Sequence, residues 1–326
     1  TEDGKTTVQI ELDYPAKTQG PVIEEMVRAK LVEAGIPADV KISQNIIAHE
    51  VQRGVKVFDS VRNIIAVSSG KGGVGKSTVS ANLALALQQE GAKVGLLDAD
   101  VYGPSQPTML GITDKPYSVD GKTLEPMVAH GLQVASVGVL IDPDQPMIWR
   151  GPLAVSALQQ LLKQTNWKDL DYLIVDMPPG TGDIQLSLSQ EVPLTGAVVV
   201  TTPQDIALMD ARKGLVMFEK VNVPILGIIE NMATHICSKC GHEEHIFGEG
   251  GAAKMAAQYG VELLGELPLD INIRLSMDKG EPIVISDPDS KVAQAYRDIA
   301  RKLAVAVSKK NKDYSAKMPS IKVSDT

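Results

Sequence analysis

The stretch that most limits what this chain can become is Gly70-Lys71-Gly72-Gly73-Val74-Gly75-Lys76-Ser77. It follows the apolar run Ile64-Ile65-Ala66-Val67-Ser68 and opens the segment Thr78 to Gln89. In that segment Val79, Leu83 and Leu87 recur at helical spacing, and Gly91 ends it. Strand, glycine-rich loop and helix in this order match the pattern G-x-x-x-x-G-K-S/T, which cradles phosphates. Its glycines let successive backbone N–H groups turn inward, and the helix N-terminus adds partial positive charge. Lys76 is expected to reach the terminal phosphates of a nucleotide, and the Ser77 hydroxyl to ligate Mg²⁺. Gly70, Lys71, Gly72, Gly73, Val74, Gly75, Lys76, Ser77 and Thr78 form the candidate nucleotide-binding set.

From Val61 onward strand and helix patterns alternate. Strands are expected at Ile64–Ser68, Val94–Asp98, Leu132–Val137, Leu173–Asp176, Ala197–Thr201, Ile225–Glu230 and Leu263–Leu267. Further helices are expected at Leu153–Gln164, Ile206–Val221, Ala252–Tyr259 and Ser290–Val307. Most of these strands are continuous apolar runs, as in a parallel sheet covered by helices on both faces. The expected class is α/β, a P-loop fold with a mainly parallel, doubly wound sheet. A chain of 326 residues that is 44% hydrophobic can bury a core of that size. Residues 1–55 read as a smaller α/β unit, with strands at Val8–Leu12 and Asp39–Ile42 around a helix at Pro21–Val32. The expected division is that unit at 1–55, a linker over 52–62, a nucleotide-binding domain at 56–310 and a polar, disordered tail at 311–326.

Carboxylates stand where two of the strands end. Leu96-Leu97-Asp98-Ala99-Asp100 closes one strand, and Leu173-Ile174-Val175-Asp176 closes another. The carboxyl ends of α/β strands face the crevice in which ligands bind. Asp176 can hold Mg²⁺ through water, as a Walker B carboxylate does. Asp98 and Asp100 either serve the same site or cap their turn. Asn231, after another apolar strand, can both donate and accept, which suits reading an adenine edge, and Pro268 opens the turn after Leu267. Cys237-Ser238-Lys239-Cys240 contains the only two cysteines. Two thiolates at this spacing chelate soft metals but do not complete a tetrahedral site. His242 and His245 follow at once, so a zinc site from Cys-x-x-Cys-x-His-x-x-His stays open as an alternative.

Lys71 stands directly after the first loop glycine, and Asp176 is followed by Met177-Pro178-Pro179-Gly180-Thr181-Gly182-Asp183. Together with the paired cysteines, these segments resemble the Mrp-type iron–sulfur carriers. That group lies among the deviant Walker A ATPases, beside MinD, ParA and the nitrogenase iron protein. The resemblance covers about residues 61 to 310 and implies a slow ATPase that carries a 4Fe–4S cluster to apo-proteins. It implies catalytic roles for Lys71, Lys76, Asp100 and Asp176, with Lys71 reaching across a homodimer to the partner's nucleotide. Asp100 matches the residue that orients the attacking water, Asp98 sits near Mg²⁺ with Ser77 and Asp176, and Asn231 and Pro268 line the base pocket. Asp183 either links this switch to the neighbouring site or caps the next helix. Cys237 and Cys240 would hold the cluster, with two chains supplying four thiolates around one two-fold axis. The cofactors so implied are ATP, Mg²⁺ and the 4Fe–4S cluster. Trp149-Arg150-Gly151-Pro152 also resembles a family segment, without an assignable role for Arg150.

The formal net charge of −8 disfavours nonspecific nucleic-acid or anionic membrane partners. No run of about 18 apolar residues is present, and the polar start Thr1-Glu2-Asp3-Gly4-Lys5 lacks a signal-peptide core. Two closely spaced cysteines suit a reducing compartment, so a cytoplasmic location is expected. Two rival classes remain. A MinD- or ParA-like positioning ATPase would want a basic amphipathic C-terminal anchor, and a nucleotide-switched regulator would carry no cluster.

Overall fold

Polar residues inside an apolar strand mark where the central sheet begins. Arg62 and Asn63 precede the run at Ile64, yet both are strand residues because tertiary partners satisfy them. Arg62 pairs with Asp169 and Asp171 at 2.8 and 3.0 Å, and Asn63 Oδ1 accepts from Nδ1 of buried His49 at 2.9 Å. The computed structural model describes residues 6–52, 55, 58–140, 151–237 and 239–312. Arg150 and residues 313–326 of the expected tail lie outside the described residues.

The chain runs β1 (Thr7–Leu12), α1 (Gly20–Glu33), β2 (Asp39–Gln44), β3 (Val61–Ser69), α2 (Lys76–Gln89), β4 (Val94–Asp98) and α3 (Gln106–Met109). Then come β5 (Met127–Ala129), β6 (Leu132–Ser136), α4 (Gly151–Gln164), β7 (Leu170–Asp176), α5 (Asp183–Glu191), β8 (Gly196–Thr201) and α6 (Asp205–Lys220). The last third holds β9 (Ile225–Glu230), β10 (His235–Ile236), β11 (Glu243–Glu244), α7 (Gly251–Tyr259), β12 (Leu263–Glu266), α8 (Ile271–Asp278), α9 (Ile283–Ser286) and α10 (Lys291–Ser308).

Eight strands form one sheet in the order β12-β9-β8-β3-β7-β4-β6-β5, and every pairing but β5 with β6 is parallel. Helices cover both faces, as the apolar runs require. One face packs under α2 and α10 through residues such as Val79, Leu83, Tyr296 and Leu303; the other packs under α4, α6 and α7 through Leu158, Leu215 and Met255. The chain moves from β3 to β4 on one side of the sheet and from β7 to β8 on the other, so β3 and β7 are neighbours at the switch point. That junction is where α/β sheets open a crevice for ligands.

The N-terminal unit is a parallel pair, β1 with β2, crossed by α1, and no residue of α1 is fully buried. It is held to the larger sheet at the far end of α2. There the buried Glu90 carboxylate accepts from the Thr18 amide at 3.0 Å and from Arg301 at 3.2 Å. Within the expected linker, the Gln52 side chain donates to Ser189 O at 2.6 Å and accepts from Leu194 N at 2.8 Å. The apolar stripe of α10 (Tyr296, Ile299, Leu303) is buried against the body of the protein. Among the described residues, no helix is long and apolar enough to cross a membrane.

Candidate functional site

Glycine is required at both ends of the phosphate loop, for different reasons. At Gly70, an added Cβ would lie 2.1 Å from the Asp210 carbonyl carbon, so α6 packs directly on the loop. At Gly75, φ is +81° and a Cβ would meet Asn231 Nδ2 at 2.3 Å. That amide donates to Val74 O at 2.8 Å, while Ser69 Oγ donates to Lys71 O at 2.9 Å. Both ends of the loop are thus shaped by side chains outside it. Gly72 and Gly73 face open space.

Below the loop lies a buried cluster of charge. Lys76, 5% exposed, sits 2.5 Å from Asp176 Oδ1 and 3.9 Å from Asp100 Oδ2. Asp176 is fully buried and also accepts from Ser80 Oγ on Oδ1 and from Gln106 Nε2 on Oδ2, each at 2.9 Å. Asp100 Oδ1 accepts the Tyr102 and Gly103 amides at 3.2 and 3.3 Å, which closes a turn over Lys76. Asp98, expected near Mg²⁺, lies buried beside Asp176, and its oxygens accept from donors of the chain. Oδ1 accepts Asp100 N at 3.2 Å, and Oδ2 accepts Ser105 N, Gln106 N and Ser136 Oγ at 3.0 to 3.1 Å. Burial, then the charge of Asp176, pushes the Asp98 carboxyl up to about 7, and these donors pull the other way. Its geometry is that of an anchor for the loop between β4 and α3.

Two cavities adjoin this cluster and share Gly75, Thr78 and Met109. One, of about 210 Å³, is lined by Lys71, Lys76, Ser77 and Asp100; the other, of about 240 Å³, by Asn231, Pro268, Ile273 and Tyr296. Larger cavities of about 690 and 780 Å³ lie at the amino end of the sheet and at its β5 edge, away from this donor set. A phosphate-sized polar cavity opening into a more apolar one fits a nucleotide, and Ser77 and Asp176 are hard oxygen donors of the kind Mg²⁺ takes. Lys71 lines the phosphate cavity, half-buried, with no carboxylate within salt-bridge distance among the described residues. Asp183 is exposed at the first position of α5, whose N-cap is Gly182.

The cysteines sit on a short hairpin, β10 with β11, anchored by His235 Nδ1 against Leu269 O at 3.1 Å. Cys237 N donates to His242 O and Gly241 N to Cys237 O, both at 2.8 Å, so the segment curls into a knuckle. The amides of Lys239 and Cys240 point at the Cys237 sulfur and lower its pKa. Cys240 is exposed and both thiols are free. The histidines turn elsewhere: His245 Nδ1 lies 3.1 Å from Ala233 O, and His242 Nε2 lies 3.7 Å from Glu244. Among the described residues, no three His, Cys, Asp or Glu side chains converge on a metal-sized space. In this structure the four side chains of the Cys₂His₂ alternative do not converge.

Sequence reasoning missed two buried amides. Gln106, which opens α3, donates through Nε2 to Ser77 O and to Asp176 Oδ2, and Gln185 on α5 donates to Ser68 Oγ. Both are almost completely buried, with Oε1 unpartnered. A glutamine in a polar loop gives no periodic signal; only its place after each aspartate-ended strand could have raised the question.

Comparison with known proteins agrees with this geometry. A ParA family profile described as NUBPL iron-transfer P-loop NTPase matches residues 60–304. The Salmonella typhimurium protein named iron-sulfur cluster carrier protein is 55% identical over 303 residues, 91% of this chain and 82% of that protein. The Mus musculus iron-sulfur cluster transfer protein NUBPL is 51% identical over 247 residues, 75% of this chain and 77% of its own. Among solved structures, a nucleotide-binding protein in complex with ADP from Archaeoglobus fulgidus matches at TM-score 0.63 and 37% identity, over 73% of this chain and 93% of that one. The cell division ATPase MinD of Pyrococcus furiosus matches at TM-score 0.58 and 25% identity, over 74% and 98%. Since the profile spans most of the chain and both relatives exceed half identity over three quarters of it or more, the chain belongs to the iron-transfer P-loop NTPases of the NUBPL type.

Proposed function

We propose that this protein is an ATP-hydrolysing carrier that holds an iron–sulfur cluster between two copies of itself and passes it to apo-proteins. One observation carries the reading: a knuckle shaped for thiolates offers two of them and, among the described residues, no third ligand from its own chain. A 4Fe–4S cluster takes four thiolates, and two knuckles about a two-fold axis supply four. The names of the bacterial and mouse relatives support cluster carriage as the task.

At the nucleotide, Lys76 exchanges Asp176 for the β- and γ-phosphates, and the inward-facing loop amides hold the phosphate oxygens. Ser77 and Asp176 would hold Mg²⁺, which neutralises charge developing on the phosphates. Asp100, beside Lys76, orients the attacking water and accepts its proton on a carboxylate oxygen. Asn231 donates its amide hydrogen to Val74, which leaves Oδ1 as an acceptor for the exocyclic amine of adenine, a group guanine lacks at that position. Lys71 completes the partner's phosphate site, which couples closure at the nucleotides to the approach of the two knuckles.

The test is transfer. Protein reconstituted anaerobically with iron and sulfide is mixed with an apo-protein that takes a 4Fe–4S cluster, with ATP and with ADP. The expected result is cluster appearing in the acceptor at a rate that depends on ATP and is abolished in Lys71→Ala. A cluster that is never taken up, or that transfers equally from Lys71→Ala, contradicts the reading.

A further inference from the structure

Gln106 occupies a place where an apolar side chain would be simpler. It is fully buried, and its Oε1 has no hydrogen-bond partner. A methionine there would fill similar space without leaving an acceptor unpaired, and an unpaired buried acceptor is costly. What the glutamine adds is a pair of donors. Both hydrogens of Nε2 are engaged, one with Ser77 O at 2.9 Å and one with Asp176 Oδ2 at 2.9 Å. These acceptors belong to the two residues best suited to hold Mg²⁺, so one amide spans both from behind. Because carbonyl and carboxylate oxygens accept only, the orientation of the amide is fixed.

The need for this brace appears once a nucleotide arrives. In the structure Asp176 Oδ1 is held by Lys76 at 2.5 Å and Ser80 at 2.9 Å. A phosphate that draws Lys76 away removes the cation that stands 2.5 Å from a carboxylate with no exposure. Gln106 is then the remaining donor on Oδ2. Mg²⁺ demands near-ideal octahedral geometry, so a carboxylate free to turn is a poor partner whether it binds directly or through water. The backbone of the same residue reaches the other way, since Gln106 N donates to Asp98 Oδ2 at 3.1 Å. Asp98 in turn accepts Asp100 N at 3.2 Å. Residue 106 therefore joins the metal-facing groups to the loop that bears Asp100.

We infer that Gln106 is a positioning residue for the Mg²⁺–nucleotide complex, holding Asp176 and the first turn of α2 at metal-binding spacing through its side-chain amide. This inference rests on the nucleotide reading above. The experiment compares direct binding of a fluorescent ADP analogue in EDTA and across a Mg²⁺ titration, in the full chain. Gln106→Met is expected to bind as the parent does in EDTA and to lose the Mg²⁺ enhancement by about tenfold or more, the usual cost of removing a group that orients a metal ligand. Gln106→Asn keeps an amide that is one methylene too short to span both acceptors, and it should show the same loss if the Met variant fails to fold. Gln185→Met removes an equally buried amide that contacts Ser68 alone, and it should keep the parental Mg²⁺ response.

A parental Mg²⁺ response in both Gln106 variants overturns the inference and leaves the nucleotide reading intact. Equal losses with and without Mg²⁺ also overturn it, because they describe general support of the loop. A parental protein with no Mg²⁺-enhanced binding would overturn the nucleotide reading first, and this inference with it.

Discussion

The nucleotide cluster and the cysteine knuckle lie at the same end of the sheet and are built in opposite ways. Around Lys76 the chain supplies a partner for nearly every charge: Asp176 meets Lys76, Ser80 and Gln106, and Asp98 meets four donors of its own chain. These groups are buried, so each interaction acts in a low dielectric and each loss leaves something uncompensated. The knuckle is exposed, is held by backbone hydrogen bonds of a two-residue ladder, and presents two sulfurs with no further ligand among the described residues. The first site is preorganised within one chain. On the proposed reading, the second has its geometry within one chain and its stoichiometry in two. A carrier benefits from that division, since a site open on one side can release what a closed site would keep.

Lys76→Ala should break the contrast most severely. It removes the cation from a buried pair, a loss that costs about 3–5 kcal/mol when one partner stays behind. We expect nucleotide binding to vanish and the nucleotide-free protein to melt earlier, with iron uptake at the knuckle retained; calorimetric melting, nucleotide titration and iron assay check the three parts. Unchanged stability would mean that the 2.5 Å pair does not persist in solution.

The smallest expected effect sharpens the same side. Asp98 has an ordinary value of 3.8 when unfolded and about 7 in the fold, so the folded state binds more protons between those values. Its contribution is fully present below the lower value and is lost as pH rises through the higher one. Nucleotide-free protein should therefore lose stability across that window, and Asp98→Asn should flatten the slope in denaturant titrations at several pH values.

Much of the fold was legible because its strands are apolar runs and its chemistry stands at their ends. The phosphate loop, the parallel sheet, and the strands ending at Asp98, Asp176 and Glu230 follow from patterns that burial imposes directly. What escaped was short or depended on tertiary partners. β5 has three residues and α3 four, too few for any period to register. The start of β3 was hidden because Arg62 and Asn63 are paid for by Asp171 and His49, which are distant in sequence. Asp98 and Asp100 looked alike as strand-end carboxylates, and only the loop that folds back from Ser105 and Gln106 separates an anchor from a group beside Lys76.

The proposal that the knuckle is completed only by a second chain is tested most directly by weighing the loaded protein. Anaerobic native mass spectrometry after reconstitution, without nucleotide, reads chains and metal atoms in the same particle. The account predicts a particle of two chains carrying one cluster of about four irons, lost in Cys237→Ser and in Cys240→Ser, while both variants still bind nucleotide. A single chain that retains a cluster or a zinc ion, or a loaded dimer that survives either substitution, would contradict it.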